Sequence, residues 1–200
     1  MDGFIKLVSE LLIESGVPQE SIFCKQRITL PGFFRPTKEW DLLVVHDSDL
    51  IASIEFKSQV GPSFGNNFNN RTEEALGCAT DLWTAYREGV FKESVRPWLG
   101  FFMLLEEHPK STCFVGVEEP HFKVMSEFRD TSYAKRYEIL IHKLIRERHY
   151  DAACFILSNK KKGISGQYTE PASELGFDTF AASLTGKAIA YMKSVPLKEQ

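Results

Sequence analysis

Two segments are apolar on both faces: WLGFFMLLE, residues 98–106, and AACFILS, residues 152–158. A strand that wets one face alternates apolar and polar side chains, because successive residues point to opposite sides. These two do not alternate, so each reads as a strand buried inside a sheet. Helices must then cover the sheet, and amphipathic segments are present to do so. Phe4, Leu7, Val8, Leu11 and Leu12 recur at helical spacing and predict a helix over about residues 2–15, stopped by Gly16. A second helix is expected over about residues 72–88, burying Leu76, Ala79, Leu82, Trp83 and Tyr86. A third runs through SYAKRYEILIHKLIRERHY and a last lies near FDTFAASLTGKAIAYMKS.

The remaining segments complete the order. RITLPGFF reads as a strand or extended segment interrupted by Pro31, followed by the turn-like RPTKE. DLLVV and LIASIEFKS are two strands of a hairpin, joined by the turn residues HDSD. VGPSFGNNFNN and NKKKGISGQY have loop chemistry. Residues 107–131 carry two prolines and a weaker signal, with TCFVGV either a further strand or a loop. The sequence thus predicts an α/β fold with a mixed central sheet flanked by helices. With no internal repeat or long linker, residues 1–200 are expected to form one domain.

Composition narrows the function classes. No apolar run approaches the roughly 18 residues of a membrane span. Asp2, Lys6, Glu10 and Glu14 interrupt the N-terminal segment as no signal peptide tolerates, so a cytoplasmic location is expected. Cys24, Cys78, Cys113 and Cys154 lie far apart, without the close pairs of a zinc site, and are expected as buried free thiols. His142 and His149 read as helix-surface histidines. The formal charge of −3 neither supports nor excludes a nucleic-acid partner, since only one local face need be basic.

Chemistry concentrates on the hairpin. Residues i and i+2 of a strand share a face, so Glu55 and Lys57 project together. With the turn centred near Asp47–Ser48, Asp41 falls opposite Ile54 or Glu55. Two carboxylates held together repel unless a cation lies between them. An oxygen-only donor pair suits a hard ion such as magnesium, completed by water and substrate phosphate. The Lys57 ammonium can position or help deprotonate an attacking water, or stabilise charge on a phosphate. Such a set suits phosphodiester hydrolysis. A solvated edge pair is the alternative reading of the same spacing.

The surrounding residues carry a resemblance. LPGFFRPTKEWDLLVV (30–45), IEFKSQVGPSFGNNFNNRTEEALG (54–77) and DLWTAYREG (81–89) closely resemble the XhoI-type family of Type II restriction endonucleases. The resemblance implies a restriction-endonuclease-like PD-(D/E)xK core, in which Asp41 matches the PD-type aspartate and Glu55 and Lys57 match the (D/E)xK pair. Trp40 stands where the motif has proline. It further implies Mg2+ held by Asp41, Glu55 and the main-chain carbonyl of Phe56, and double-stranded DNA as substrate. The implied target is CTCGAG, cut to leave 5′ overhangs. A DNA methyltransferase is the implied genetic partner, and family members carry an N-terminal segment ahead of the part matched here. A palindromic target presents two equivalent cuts, which predicts a homodimer.

Candidate DNA-binding residues follow. In the loop Gly65–Arg71, the Asn66, Asn67 and Asn69 amides can pair with adenine and Arg71 with guanine. Asparagine and glycine are also ordinary loop formers, and Asn70 with Glu73 looks like a helix N-cap and its reciprocal partner. Lys160, Lys161 and Lys162, with Gln167, are either a solvated loop or a phosphate grip. Arg35 and Lys38 precede Asp41 and are placed to meet the backbone at the cut. Glu10 or Glu14 supplies either a further metal-site carboxylate or surface charge. A repair or junction nuclease of the same fold, and a catalytically inactive DNA-binding relative, remain the alternative functions.

Overall fold

The structure is a computed structural model that describes residues 1–194, so residues 195–200 of the expected domain lie outside the described residues. The chain opens with helix α1 (Asp2–Glu14), which Gly16 ends in a left-handed conformation at φ 92°. Strand β1 (Ile22–Phe23) and a separate two-stranded ribbon, β2 (Thr29–Pro31) with β3 (Thr37–Glu39), follow. Next come β4 (Leu42–His46), β5 (Asp49–Gln59), α2 (Phe64–Arg87), β6 (Trp98–Glu106) and the short α3 (Pro109–Thr112). Helix α4 (Tyr133–Arg146), β7 (Ala152–Ser158), the short α5 (Lys160–Ile164) and α6 (Phe177–Ser194) complete it.

The main sheet has the order β1-β4-β5-β6-β7. β4 runs antiparallel to both of its neighbours, β1 and β5, whereas β5, β6 and β7 run parallel. The mixed sheet flanked by helices is therefore as the sequence predicts. Its hairpin turns at Asp47 and Ser48, both left-handed at φ 49° and 73°, the combination that matches strand twist in a two-residue turn. The register pairs Leu42 with Ile54, which carries Asp41 to the level of Glu55.

Each face of the sheet has its own apolar layer. One joins Leu42, Ile54, Phe56 and Phe102 to α1 and α6; the other joins Leu43, Phe101, Met103 and Phe155 to α2 and α4. Among the described residues, no helix is long and apolar enough to cross a membrane.

Several expectations need correction. Helix α2 begins at Phe64, not near Thr72, so GNNFNN is helical and the cap position is Ser63, not Asn70. Packing outweighs the weak helix propensity of glycine and asparagine there. Phe64 is buried and stacks on Tyr133 with ring centroids 6.4 Å apart, while Phe68 meets Tyr137 edge-on at 5.0 Å. Gly65 is required by this approach, since a Cβ would lie 2.6 Å from the Tyr133 hydroxyl. Leu76 is 38% exposed, and Ala75 and Cys78 take its place in the core.

The expected turn RPTKE instead contains β3. NKKKGISGQY is not wholly a loop: Asn159 caps α5, accepting the N–H groups of Lys161 and Lys162. TCFVGV forms no strand beyond a single bridge between Val115 and Thr131. It lacks a neighbouring strand and is held by Arg136, which donates to the Val115 carbonyl at 2.7 Å. Cys78 and Cys154 are buried, but Cys24 is only half-buried and Cys113 is exposed. His149 lies beyond α4, and its carbonyl accepts from Trp83 Nε1 at 2.8 Å.

Candidate active site

Strand alternation divides β5 by face. Ile54 and Phe56 enter the α1–α6 layer, leaving Ser53, Glu55, Lys57 and Gln59 to face α2 and α4. Glu55 is 3% exposed, a costly position for a carboxylate unless it is paired. It is paired twice. Lys57 Nζ bonds one carboxylate oxygen, and Lys38 Nζ, arriving from β3, bonds the other at 2.7 Å. Lys38 also lies 4.4 Å from the centroid of the Trp40 ring and donates to the Glu39 carbonyl at 2.8 Å.

Asp41 closes the edge of the site. β4 begins only at Leu42, so the Phe56 N–H has no strand partner on that side and donates to Asp41 Oδ2 at 2.7 Å. The N–H and C=O of one strand residue point to the same side, so the Phe56 carbonyl is directed towards this edge too. Burial and the Glu55 charge push the Asp41 carboxyl up, outweighing the Phe56 N–H and the two lysines. Burial acts against the Lys57 ammonium, but Glu55, then Asp41 and Glu74, raise it above the ordinary lysine value.

Asp41, Glu55 and Lys57 thus converge at the open end of the β4–β5 hairpin. Two carboxylates and a carbonyl form an all-oxygen donor set that fits a hard divalent cation; burial first, and then the Glu55 charge, raise the Asp41 carboxyl, and such an ion would offset both. Among the described residues, no three or more His, Cys, Asp or Glu side chains cluster to hold a metal ion. An ion at Asp41 and Glu55 would complete its shell with water and phosphate.

The other candidates divide by position. In α2, helical spacing places Asn67, Asn70 and Arg71 on the stripe that carries Glu74, whose charge reaches Lys57. Asn66 lies at the margin of that stripe and Asn69 points away from it. Arg71 pairs with Glu74, and its Nε is buried with no partner among the described residues. Glu10 and Glu14 sit on α1, across the sheet from Glu55, with Glu10 paired to Lys6 at 3.7 Å. They are surface charge.

Lys160, Lys161 and Lys162 are exposed just beyond the C-terminal end of β7, two strands across the sheet from β5. Lys162 reaches Glu107 at 3.6 Å, and Gln167 is exposed beside them. Arg35 is turned towards α2, where its Nε donates to Asp81 Oδ2 at 2.8 Å.

Three residues had gone unremarked in the sequence. Asp81 is buried and accepts the N–H groups of Phe33 and Phe34 at 2.8 and 2.7 Å, besides Arg35. Burial opposes its charge, but the Phe34 N–H, Arg35 and the Phe33 N–H together hold the carboxyl below its ordinary value. A charged residue inside the apolar stripe of α2 was the available signal. Gln59, two beyond Lys57, accepts from the Tyr137 hydroxyl and donates to the Phe64 carbonyl at 3.1 Å, pinning α2 to β5. The same i+2 spacing that joins Glu55 to Lys57 would have found it. Glu74 left no comparable trace.

The chain matches the family model described as restriction endonuclease XhoI over residues 1–170. The Type II restriction enzyme BstVI of Geobacillus stearothermophilus is 50% identical over 189 residues, which are 92% of this chain and 84% of that protein. The Type II restriction enzyme AbrI of Azospirillum brasilense is 57% identical over 124 residues, 62% of this chain and 56% of that protein. The Type II restriction enzyme XhoI of Xanthomonas vasicola is 48% identical over 147 residues, 72% of this chain and 59% of that protein. The match thus spans under two thirds of the AbrI and XhoI enzymes. No solved structure matches this chain. With a match over most of its length and a half-identical relative, the chain belongs to the XhoI family of restriction endonucleases.

Proposed function

We propose that this chain is a Type II restriction endonuclease that hydrolyses double-stranded DNA at a short palindrome, with CTCGAG and 5′ overhangs as the target and product implied by its family. The observation that carries this reading is the convergence of Asp41, Glu55 and Lys57 at one end of the β4–β5 hairpin. In the reading, Asp41, Glu55 and the Phe56 carbonyl hold Mg2+, which supplies Lewis acidity and an activated water. Lys57 orients the attacking water and offsets negative charge on the phosphate. Lys38, released from Glu55, is available to a phosphate at the cut. Asn67 and Arg71 are the leading base readers on α2, with Asn66 at the margin of their stripe and Asn69 turned away from it, and Lys160–Lys162 grip phosphates across the sheet end. A homodimer sets one site against each strand of the palindrome, and a methyltransferase protects the host's own sites.

Digestion of mixed-sequence DNA with magnesium, followed by sequencing of the fragment ends, tests this. A single short palindrome at every end is the expected outcome, and Lys57→Ala should leave the DNA intact. Cuts confined to branched substrates would point to a repair or junction nuclease. Wild type and Lys57→Ala that bind DNA equally and cut it equally little would point to a binding protein.

A further inference from the structure

The ribbon that delivers Lys38 to Glu55 has an unusual tip. Its strands β2 and β3 are joined through Gly32, Phe33, Phe34, Arg35 and Pro36, and both Phe rings face outward, 49% and 69% exposed. They meet edge-on with centroids 5.0 Å apart. Solvent-facing aromatics on a connecting segment would ordinarily sit on a mobile loop. Here the backbone is fixed: buried Asp81 takes the Phe33 and Phe34 N–H groups and the Arg35 guanidinium. Gly32 permits that closeness, because a Cβ there would lie 2.5 Å from Asp81 Oδ2. A rigid mount keeps two rings out of the core, against the usual gain from burying them.

The surroundings of the tip indicate its partner. Residues 24–39 carry Lys25, Arg27, Arg35 and Lys38 against the single acid Glu39, in a chain whose net charge is −3. Arg35 and Lys38 pair with buried Asp81 and Glu55, which leaves Lys25 and Arg27, exposed at the base of the ribbon, open to a partner. The tip also lies beside the candidate site. Glu74, Cys78 and Asp81 follow one another along one face of α2; the charge of Glu74 acts on Lys57, Arg35 Nη2 reaches Cys78 Sγ at 3.5 Å, and Asp81 anchors the tip. Two presented rings on a ribbon with exposed cations at its base suit a polyanion with an apolar interior, whose phosphates meet the cations and whose bases meet the rings.

We propose that Phe33 and Phe34 form a wedge that enters the duplex beside the scissile phosphate and packs against its bases. The proposal rests on the DNA-cleaving reading. Its test uses the full-length Lys57→Ala protein with magnesium and a duplex carrying the sequence the wild type cuts, with 2-aminopurine at successive positions around the cut. Binding should raise the fluorescence at one or two of them. Adding Phe33→Ala and Phe34→Ala should abolish that rise and weaken binding roughly 5- to 150-fold, the range of one lost base–aromatic stack. The melting temperature and the salt dependence of binding should not change, because the rings are exposed and uncharged.

Unchanged affinity and fluorescence in the double-ring variant would overturn the wedge. A reduced salt slope would place the tip on phosphates instead, and a loss of dimer mass in light scattering would assign it to a subunit contact. Either result also overturns it. Should the wild type cut no duplex and Lys57→Ala bind none, the DNA-cleaving reading falls first and the wedge with it.

Discussion

The two faces of β5 differ as sharply as two proteins might. Towards α1 and α6, Ile54 is fully buried and Phe56 stacks on Phe102 at 5.2 Å, itself 4.7 Å from Phe4 and 5.9 Å from Phe180. Towards α2 and α4, residues of the same strand form ion pairs and hydrogen bonds: Glu55 with two lysines, Gln59 with Tyr137 and the Phe64 carbonyl. A single extended segment thus separates cohesion from chemistry by alternation alone. The apolar face fixes where β5 lies. The polar face can then hold charges at a defined place because the strand has no freedom to retreat from them.

That division can be broken residue by residue. On the polar face, Lys57→Ala should lower the single-turnover cleavage rate by about 1,000-fold or more, equivalent to about 4 kcal/mol of transition-state stabilisation, while Lys38, still paired to Glu55, keeps the protein folded at the assay temperature. On the apolar face, Ile54→Ala should show the converse: a loss of about 3 kcal/mol in urea titration, with the cleavage rate of the folded protein little altered. If either variant showed the other's phenotype, the faces would not be separable.

Asp81→Asn tests how far the polar side extends. Loss of its charged bonds to Arg35 and the ribbon backbone should cost about 2 kcal/mol at neutral pH. The sign with pH follows from the depressed carboxyl. Its contribution is complete above the ordinary aspartate value of about 3.9 and is lost as pH falls through the lower folded value, so the wild-type advantage over the variant should shrink in acid. Parallel melting curves at descending pH would show this. The smallest effect belongs to Lys160, Lys161 and Lys162 replaced together by alanine. If all three meet phosphates, the slope of log affinity against log salt should become shallower by roughly 2.7. An unchanged slope would return them to solvated surface.

Legibility followed the range of the forces involved. The β4–β5 register could be read because a two-residue turn and strand alternation are local, and the bounds of β6 and β7 because continuous apolarity marks a strand covered on both sides. The start of α2 could not be read. Asn66, Asn67, Asn69 and Asn70 advertise a loop, and it takes the distant rings of His108, Tyr133 and Tyr137 to make Phe64 and Phe68 worth winding into a helix. The second lysine on Glu55 was hidden for a similar reason. Lys38 is a near neighbour of Asp41 in sequence, but its bond to Glu55 depends on how a separate ribbon folds over the sheet.

The pairing of Glu55 between Lys38 and Lys57 has a consequence for how such a protein is stored. Among the described residues, its most deeply buried acid is charge-balanced by the chain itself, so folding has no need to wait for an ion, unlike small domains that collapse only around one. Chelator-treated protein should therefore keep a cooperative melting transition while its cutting stops. On the proposed reading, the polypeptide can accumulate folded and idle, its readiness governed by divalent salt and not by refolding.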